Sequence, residues 1–275
     1  MSDMEKYLVI GDLQIPYHDP KAVEVMLRVA EDFKPDGLVI NGDFCDWRTL
    51  SDHYPAIDEP GNRLIPTLKE EVQLQKDLLD EILTRVKPTM SWWNDGNHEW
   101  RLNRMLYKFP NIVQLLGLAE LSTRLTVQSI FNLDRLGIKH SGNYPNGFWL
   151  KKGDLWIEHG FNTSLKAGYT VSRLLDARGA SVIVGHCERL AVVWKRNIDR
   201  KLFGAEGGNL SILGEKAGKG IYSTVPHTAP ELMNHQQGFL LLTRYDNQWY
   251  PEAVPIHNGV AVWRGKVYDS SKKVS

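Results

Sequence analysis

Tyr7-Leu8-Val9-Ile10-Gly11-Asp12 and Gly37-Leu38-Val39-Ile40-Asn41-Gly42-Asp43 are the two stretches on which the fold turns. Each is a short apolar run that stops at a glycine and a carboxylate, the pattern of a buried strand ending at a polar rim. Between them Asp19 and Pro20 stand where an N-cap and a first helical residue belong. Val23, Met26, Leu27 and Ala30 then follow i, i+3, i+4, i+7 spacing. Two buried strands joined by an amphipathic helix make a β-α-β unit, so the chain begins as an α/β protein.

The rhythm continues outward from this unit. A helix is predicted over about 66–86 from Leu68, Val72, Leu78, Leu79 and Ile82, and Pro88 stops it before a strand at 89–93. That strand runs into Asn94-Asp95-Gly96-Asn97-His98-Glu99. Residues 99–136 read as an inserted helical lobe with breaks at Pro110 and Gly117. The alternation resumes with a strand at 155–158 before His159-Gly160, a helix near 165–177 and a strand at 180–184 before Gly185-His186. Beyond Glu188, alternating segments with glycines predict antiparallel strands over about 190–269. No repeat, low-complexity tract or linker interrupts the chain, so residues 1–275 are expected to form a single domain.

Composition narrows the function classes. With 42% hydrophobic and 24% charged residues over 275 positions, the chain can bury a sizeable core, which excludes disorder for its bulk. Its 33 basic side chains balance 33 acidic ones, so no global field draws it to a polyanion or an acidic membrane, although a local basic patch still can. Two cysteines, Cys45 and Cys187, cannot staple a fold of this size, and no secretory segment precedes Tyr7. A reducing cytoplasm is the expected location. No apolar run approaches the roughly 20 residues of a membrane span, so no membrane partner is expected.

Five strand ends deliver Asp12 with Gln14, Asp43 with Asp46, Asn97 with His98, His159, and His186 with Glu188. Ligands of open α/β sheets gather at the carboxyl ends of the strands, where residues distant in sequence become neighbours. Carboxylates, amide oxygens and imidazoles on one rim are what divalent cations need. A single glycine-aspartate turn or a lone histidine would be ordinary; five in the same context point to a metal site.

In these motifs the chain resembles the calcineurin-like metallophosphoesterases. The family's ordered signatures D-x-H, G-D-x-x-D, G-N-H-E/D, a later histidine usually followed by glycine, and G-H-x-H match Asp12-Leu13-Gln14, Gly42-Asp43-Phe44-Cys45-Asp46, Gly96-Asn97-His98-Glu99, His159-Gly160 and Gly185-His186-Cys187-Glu188. The match spans residues 7 to 188. It implies a four-layer α/β/β/α sandwich with the inserted helical lobe and a dinuclear centre on its rim. By position, Asp43 would bridge the ions, Asn97, His159 and His186 would complete one site, and Asp12 with Gln14 and Glu188 the other. His98 would be the catalytic acid and Asp46 the carboxylate that orients it and raises its pKa. Both departures from the pattern, Gln14 and Glu188, fall on the same ion. Oxygen donors replace imidazoles there, which moves preference from zinc toward manganese, with magnesium, iron or zinc as alternatives. Glu188 can instead point away and leave that ion weakly held. Glu99 either holds the turn or merely starts a helix.

The remaining candidates each carry a plain alternative. His18 faces the site or only neighbours a helix N-cap; Arg48 and Arg101 contact a phosphate or are solvated. Arg104 and the run Lys195, Arg196, Arg200 and Lys201 suit an anion or line a solvated face. Trp47 and Trp100 flank motif residues and are expected to pack beneath the site, and both cysteines to be small buried filler. The expected activity is phosphodiester hydrolysis of nucleotides or nucleic acid through a metal-bound hydroxide. A phosphomonoesterase, such as a protein serine/threonine phosphatase, and a non-catalytic scaffold are the rivals; protein partners are not indicated.

Overall fold

The computed structural model describes residues 4–51, 67–108, 125–196, 198, 200–213 and 234–272. β1 (Glu5–Ile10) leads to α1 (Pro20–Phe33), whose Asp19 cap accepts from the Lys21 N–H at 2.9 Å. β2 (Gly37–Asn41) pairs parallel with β1 and closes the expected β-α-β unit. α2 (Leu68–Val86) begins at Leu68 rather than at 66, because Thr67 and Glu70 form a capping box that satisfies the first backbone donors. β3 (Met90–Asn94) lies parallel to β2. The expected lobe is helical at both ends, in α3 (Trp100–Lys108) and α4 (Val127–Phe131); residues 109–124 lie outside the described residues. β4 (Ile138–His140) then pairs parallel with β3.

β5 (Gly147–Lys151) and β6 (Leu155–Glu158) open a second sheet, and α5 (Tyr169–Arg178) crosses to β7 (Ser181–Val184). α5 starts at Tyr169 instead of near 165. Gly168 turns there at φ 81°, and the buried Glu206 carboxylate accepts from the N–H groups of Gly168 at 2.7 Å and Val171 at 3.2 Å. A carboxylate at a helix start meets free donors and the positive end of the dipole, so the helix begins where Glu206 reaches it. β8 (Leu190–Arg196) and β9 (Lys201–Gly207) form an antiparallel pair that completes the order β5-β6-β7-β9-β8. β10 (Gly238–Tyr245) and β11 (Gln248–Pro255) return to the first sheet, which reads β11-β10-β1-β2-β3-β4. The hairpin of β12 (Val260–Trp263) and β13 (Lys266–Asp269) packs beside α1.

Alternation along the strands sorts side chains into layers. Leu8 and Ile10 of β1 pack with Val23, Met26 and Leu27 of α1 and with Leu79 and Ile82 of α2. Tyr7 and Val9 point the other way, to Ile157, Ile183 and Phe203 of the second sheet. Val182 and Val184 of β7 in turn pack with Val171 of α5. The order is helix, sheet, sheet, helix, the expected four-layer sandwich. A strand buried on both faces must be apolar throughout, which is why β1 and β2 read as unbroken runs. Among the described residues no helix is long and apolar enough to cross a membrane.

Candidate metal centre

Beyond the last residues of β1 and β2 the two loops stay zipped together. Asp12 N–H donates to Gly42 O at 3.0 Å, Gln14 N–H to Asp43 O at 2.8 Å, and Ile15 N–H to Phe44 O at 3.0 Å. Asp12, Gln14, Asp43, His186 and Glu188 all have left-handed backbone, with φ between 50° and 62°. Such a conformation costs of order 1–3 kcal/mol for a non-glycine residue and persists only where the surroundings enforce it. Its concentration on residues named by the motifs is a mark of function. The glycines beside them are obligatory for space: a Cβ on Gly96 would stand 2.1 Å from Asp43 Oδ1, and one on Gly42 would stand 2.3 Å from His159 Nδ1.

At the centre, ligand atoms of Asp43, His159 and His186 lie within 4.8 Å of one another. His159 is fully buried; its Nδ1 bonds to Asn41 O at 2.9 Å, which turns Nε2 toward Asp43 Oδ1 at 3.3 Å and Asn97 Oδ1 at 3.1 Å. A backbone acceptor on one ring nitrogen is what fixes the other as a metal donor. Asp12 accepts from the His186 N–H at 3.2 Å through Oδ2, while its buried Oδ1 has no hydrogen-bond partner. A buried carboxyl oxygen left without a donor beside His159 suits a cation. Burial pushes the Asp12 carboxyl well above its ordinary range. Burial pushes Asp43 the same way, but the His159 charge overrides it and holds that carboxyl well below. Reciprocally, Asp43 outweighs burial and drives His159 up to about 10, while burial and the neighbouring His159 bring His186 down to about 4.

Gln14 Nε2 donates to Glu188 Oε1 at 3.0 Å. Glu188 Oε2 takes Asn209 Nδ2 at 3.3 Å and faces His235 Nδ1 at 2.9 Å. Glu188 therefore points inward, beside Gln14. A carboxylate has about four acceptor positions, so these three contacts leave one, and the Gln14 amide keeps its oxygen.

His98 Nδ1 lies 2.9 Å from Asp46 Oδ1, and Nε2 lies 3.7 Å from Asp43 Oδ2. Arg101 spans both partners, reaching Asp46 Oδ1 at 3.2 Å, the Asp46 carbonyl at 2.5 Å and His98 Nε2 at 3.1 Å. Burial opposes charge on His98, yet Asp43 and Asp46 raise its pKa against that and against Arg101. Glu99 binds the turn: its carboxylate accepts from the N–H groups of Asp43 at 2.9 Å, Cys45 at 2.9 Å and Gly96 at 2.8 Å. It therefore does more than begin a helix.

His18 is not drawn into this group; its charged neighbours are Asp19 and Glu81, and burial lowers its pKa. Arg48 bonds to the Tyr17 hydroxyl. Trp47 is fully buried and both cysteines are free and buried, as expected of packing residues. Sequence reasoning missed four neighbours. His235 belongs to no motif and carries no local signal. Tyr144 stacks edge-on against His159 at 6.2 Å. Glu71 and Gln75 of α2 occupy core positions and hold Trp47 by its N–H at 2.6 Å and its Nε1 at 3.0 Å. Two polar residues on the apolar stripe of α2 were the available sign.

The chain is 25% identical over 274 residues to the Gene 54 protein of Mycobacterium phage D29, covering 96% of this chain and 99% of that one, and equally to its counterpart in Mycobacterium phage L5. Among solved structures, Vacuolar Protein Sorting 29 from Cryptosporidium parvum aligns over 96% of this chain and 94% of its own at 12% identity, with a TM-score of 0.47. The phosphoesterase Yfce from E. coli aligns over 90% and 98% at 15% identity, with a TM-score of 0.37. The family model described as calcineurin-like phosphoesterase matches residues 5–209, from the start of β1 past every motif residue. The chain belongs to the calcineurin-like phosphoesterase family.

Proposed function

We propose that this chain is a metal-dependent phosphoesterase that hydrolyses phosphodiester bonds of nucleotides or nucleic acid. The observation that carries the reading is the line Arg101, Asp46, His98, Asp43, which sets an oriented imidazole beside the Asp43, His159 and His186 cluster. In this reading Asp43 with Asn97, His159 and His186 would hold one divalent ion, and Asp43 with Asp12, Gln14 and Glu188 would hold a second. Bound ions of this kind supply Lewis-acid charge and an activated water. Hard oxygen donors at Gln14 and Glu188 favour manganese.

The chain's own residues supply the proton and its control. Asp46 Oδ1 stands 2.9 Å from His98 Nδ1, and that charge contact keeps Nε2 toward the centre. Arginine has no acceptor, so the Arg101 contact to Nε2 is a hydrogen bond only while that nitrogen is bare. An incoming phosphoryl oxygen offers Arg101 another acceptor, which frees Nε2 to carry the proton for the leaving alkoxide. A chain kept only as a scaffold would have no chemical need of this line. Both cysteines being free and buried suits the reducing cytoplasm we assign as its location.

The test is a panel of mono- and diesters assayed with manganese, magnesium, zinc or chelator. Diester turnover that needs a divalent ion is the expected result. Turnover of monoesters alone would establish the phosphomonoesterase instead, and no turnover with ions bound would establish the scaffold.

A further inference from the structure

At the end of the sandwich away from the metal centre, the layer between the sheets stays open. β8 and β9 run from the Leu190–Gly207 pair, next to Glu188, to the Arg196–Lys201 pair. Six residues of strand carry this far end roughly 20 Å from the site. Trp194 and Phe203 are direct cross-strand partners with rings 6.1 Å apart, and Phe203 lies 6.4 Å from Trp249 of β11. Phe203 and Trp249 belong to the core between the sheets, so this is the inner face of the β8–β9 pair. Side chains alternate along a strand, which places Arg196 and Lys201, two positions on, on the same inner face.

A core-facing position normally carries an apolar residue. Here two cations stand directly opposite each other, an unfavourable pairing, and neither has a carboxylate partner among the described residues. Their neighbours are otherwise engaged: Lys195 pairs with Asp176, and Arg200 donates to the carbonyls of Gly153 and Gly179. The cleft they line measures about 560 Å³ and is floored by Phe203 and Trp249. Trp194, 58% exposed, also lines it. A wet aromatic ring beside unneutralised cations fits a ligand that is flat and anionic at once.

We propose that this cleft binds single-stranded nucleic acid, with a base stacked on Trp194 and phosphates on Arg196 and Lys201. Unpaired bases offer the ring faces that a duplex hides, and aromatic platforms with a basic track are the general solution for such strands. The role of the cleft rests on the phosphodiesterase reading, because it would hold a polymer whose scissile bond lies at the distant centre. The binding itself needs no metal ion.

The test is fluorescence anisotropy of a labelled oligothymidylate of roughly ten nucleotides with the full chain in chelator, which stops hydrolysis. Trp194→Ala should weaken binding about tenfold. Arg196→Ala with Lys201→Ala should make the slope of log Kd against log salt shallower by about 1.4, the loss of two phosphate contacts. All these side chains are exposed, and both variants should keep the parent's thermal unfolding and its manganese-dependent hydrolysis of bis-p-nitrophenyl phosphate. Parent affinity in both variants, equal competition by polyphosphate, or a mononucleotide binding as tightly as the oligomer would each overturn the proposal. If the small diester is cut but no oligonucleotide binds, the cleft assignment fails alone. If the oligonucleotide binds but no ester is cut with ions present, the phosphodiesterase reading fails alone.

Discussion

Replacing Glu71 by glutamine should stabilise the protein by an amount that grows with pH. Glu71 is 1% exposed on the inward face of α2; one oxygen accepts from the Trp47 N–H at 2.6 Å and the other has no hydrogen-bond partner. Burial first, and then the Asp46 charge, push its carboxyl from 4.5 up to about 8. The folded chain therefore keeps a proton that the unfolded chain gives up at lower pH. The favourable term is fully present below about 4.5, is lost as pH rises toward about 8, and changes no further above that. The span between the two values sets a ceiling of roughly 5 kcal/mol, and relaxation and water around a buried charge reduce what is realised to about 2–4 kcal/mol. Glutamine keeps the acceptor for Trp47 and does not titrate. Urea unfolding of parent and Glu71→Gln in chelator at pH 5, 7 and 9 should show equal stability at the lowest pH and a widening advantage for the variant. A difference that stays constant with pH, or an advantage confined to acid, would refute the reasoning.

His98→Ala should leave both ions bound and lower kcat by about 10²–10⁴-fold on an alkoxide leaving group, with a smaller loss on an activated aryl ester; metal analysis beside the two assays checks this, and loss of metal with activity would remove His98 as the acid. Asp46→Asn should lower kcat in the same direction but by less, since it disturbs only the orientation and basicity of the imidazole. Gly96→Ala should abolish stable metal binding, because its Cβ would stand 2.1 Å from Asp43 Oδ1 and 2.4 Å from the Asp43 nitrogen; calorimetric titration with manganese at parent affinity would contradict that account. Mild chelation should remove one ion before the other, and Glu188→His should shift the preference from manganese toward zinc; zinc being clearly best in the parent at equal occupancy would count against the oxygen-rich site.

The β-α-β opening and the motif loops were readable along the chain because each is written in contiguous residues, and the four-layer order followed from the family that those motifs resemble. Buried strands need unbroken apolar runs, a helix start needs Asp19-Pro20, and the crowded strand ends need the glycines beside Asp12, Asp43 and His186. Boundaries were less legible where a distant side chain sets them. α5 starts at Tyr169 because Glu206, from another strand, caps it. The basic run after the last motif read as suited to an anion or a solvated face with no place assigned; β8 carries Arg196 to the far end of the sandwich, where β9 sets Lys201 opposite it.

Asp12, Asp43, Asn97, His159 and His186 could be placed at one rim from the chain alone, since a strand's polarity and its terminal residues decide which side chains reach the rim. Contacts between loops far apart in sequence depended on packing. Glu188 has its inward direction from Gln14, Asn209 and His235, and His98 stands under Arg101 as well as Asp46. Spacing along a chain encodes which face a residue takes within its own strand or helix. It does not encode the angle and distance at which one loop meets another, and those are set by how the two sheets close on their shared core.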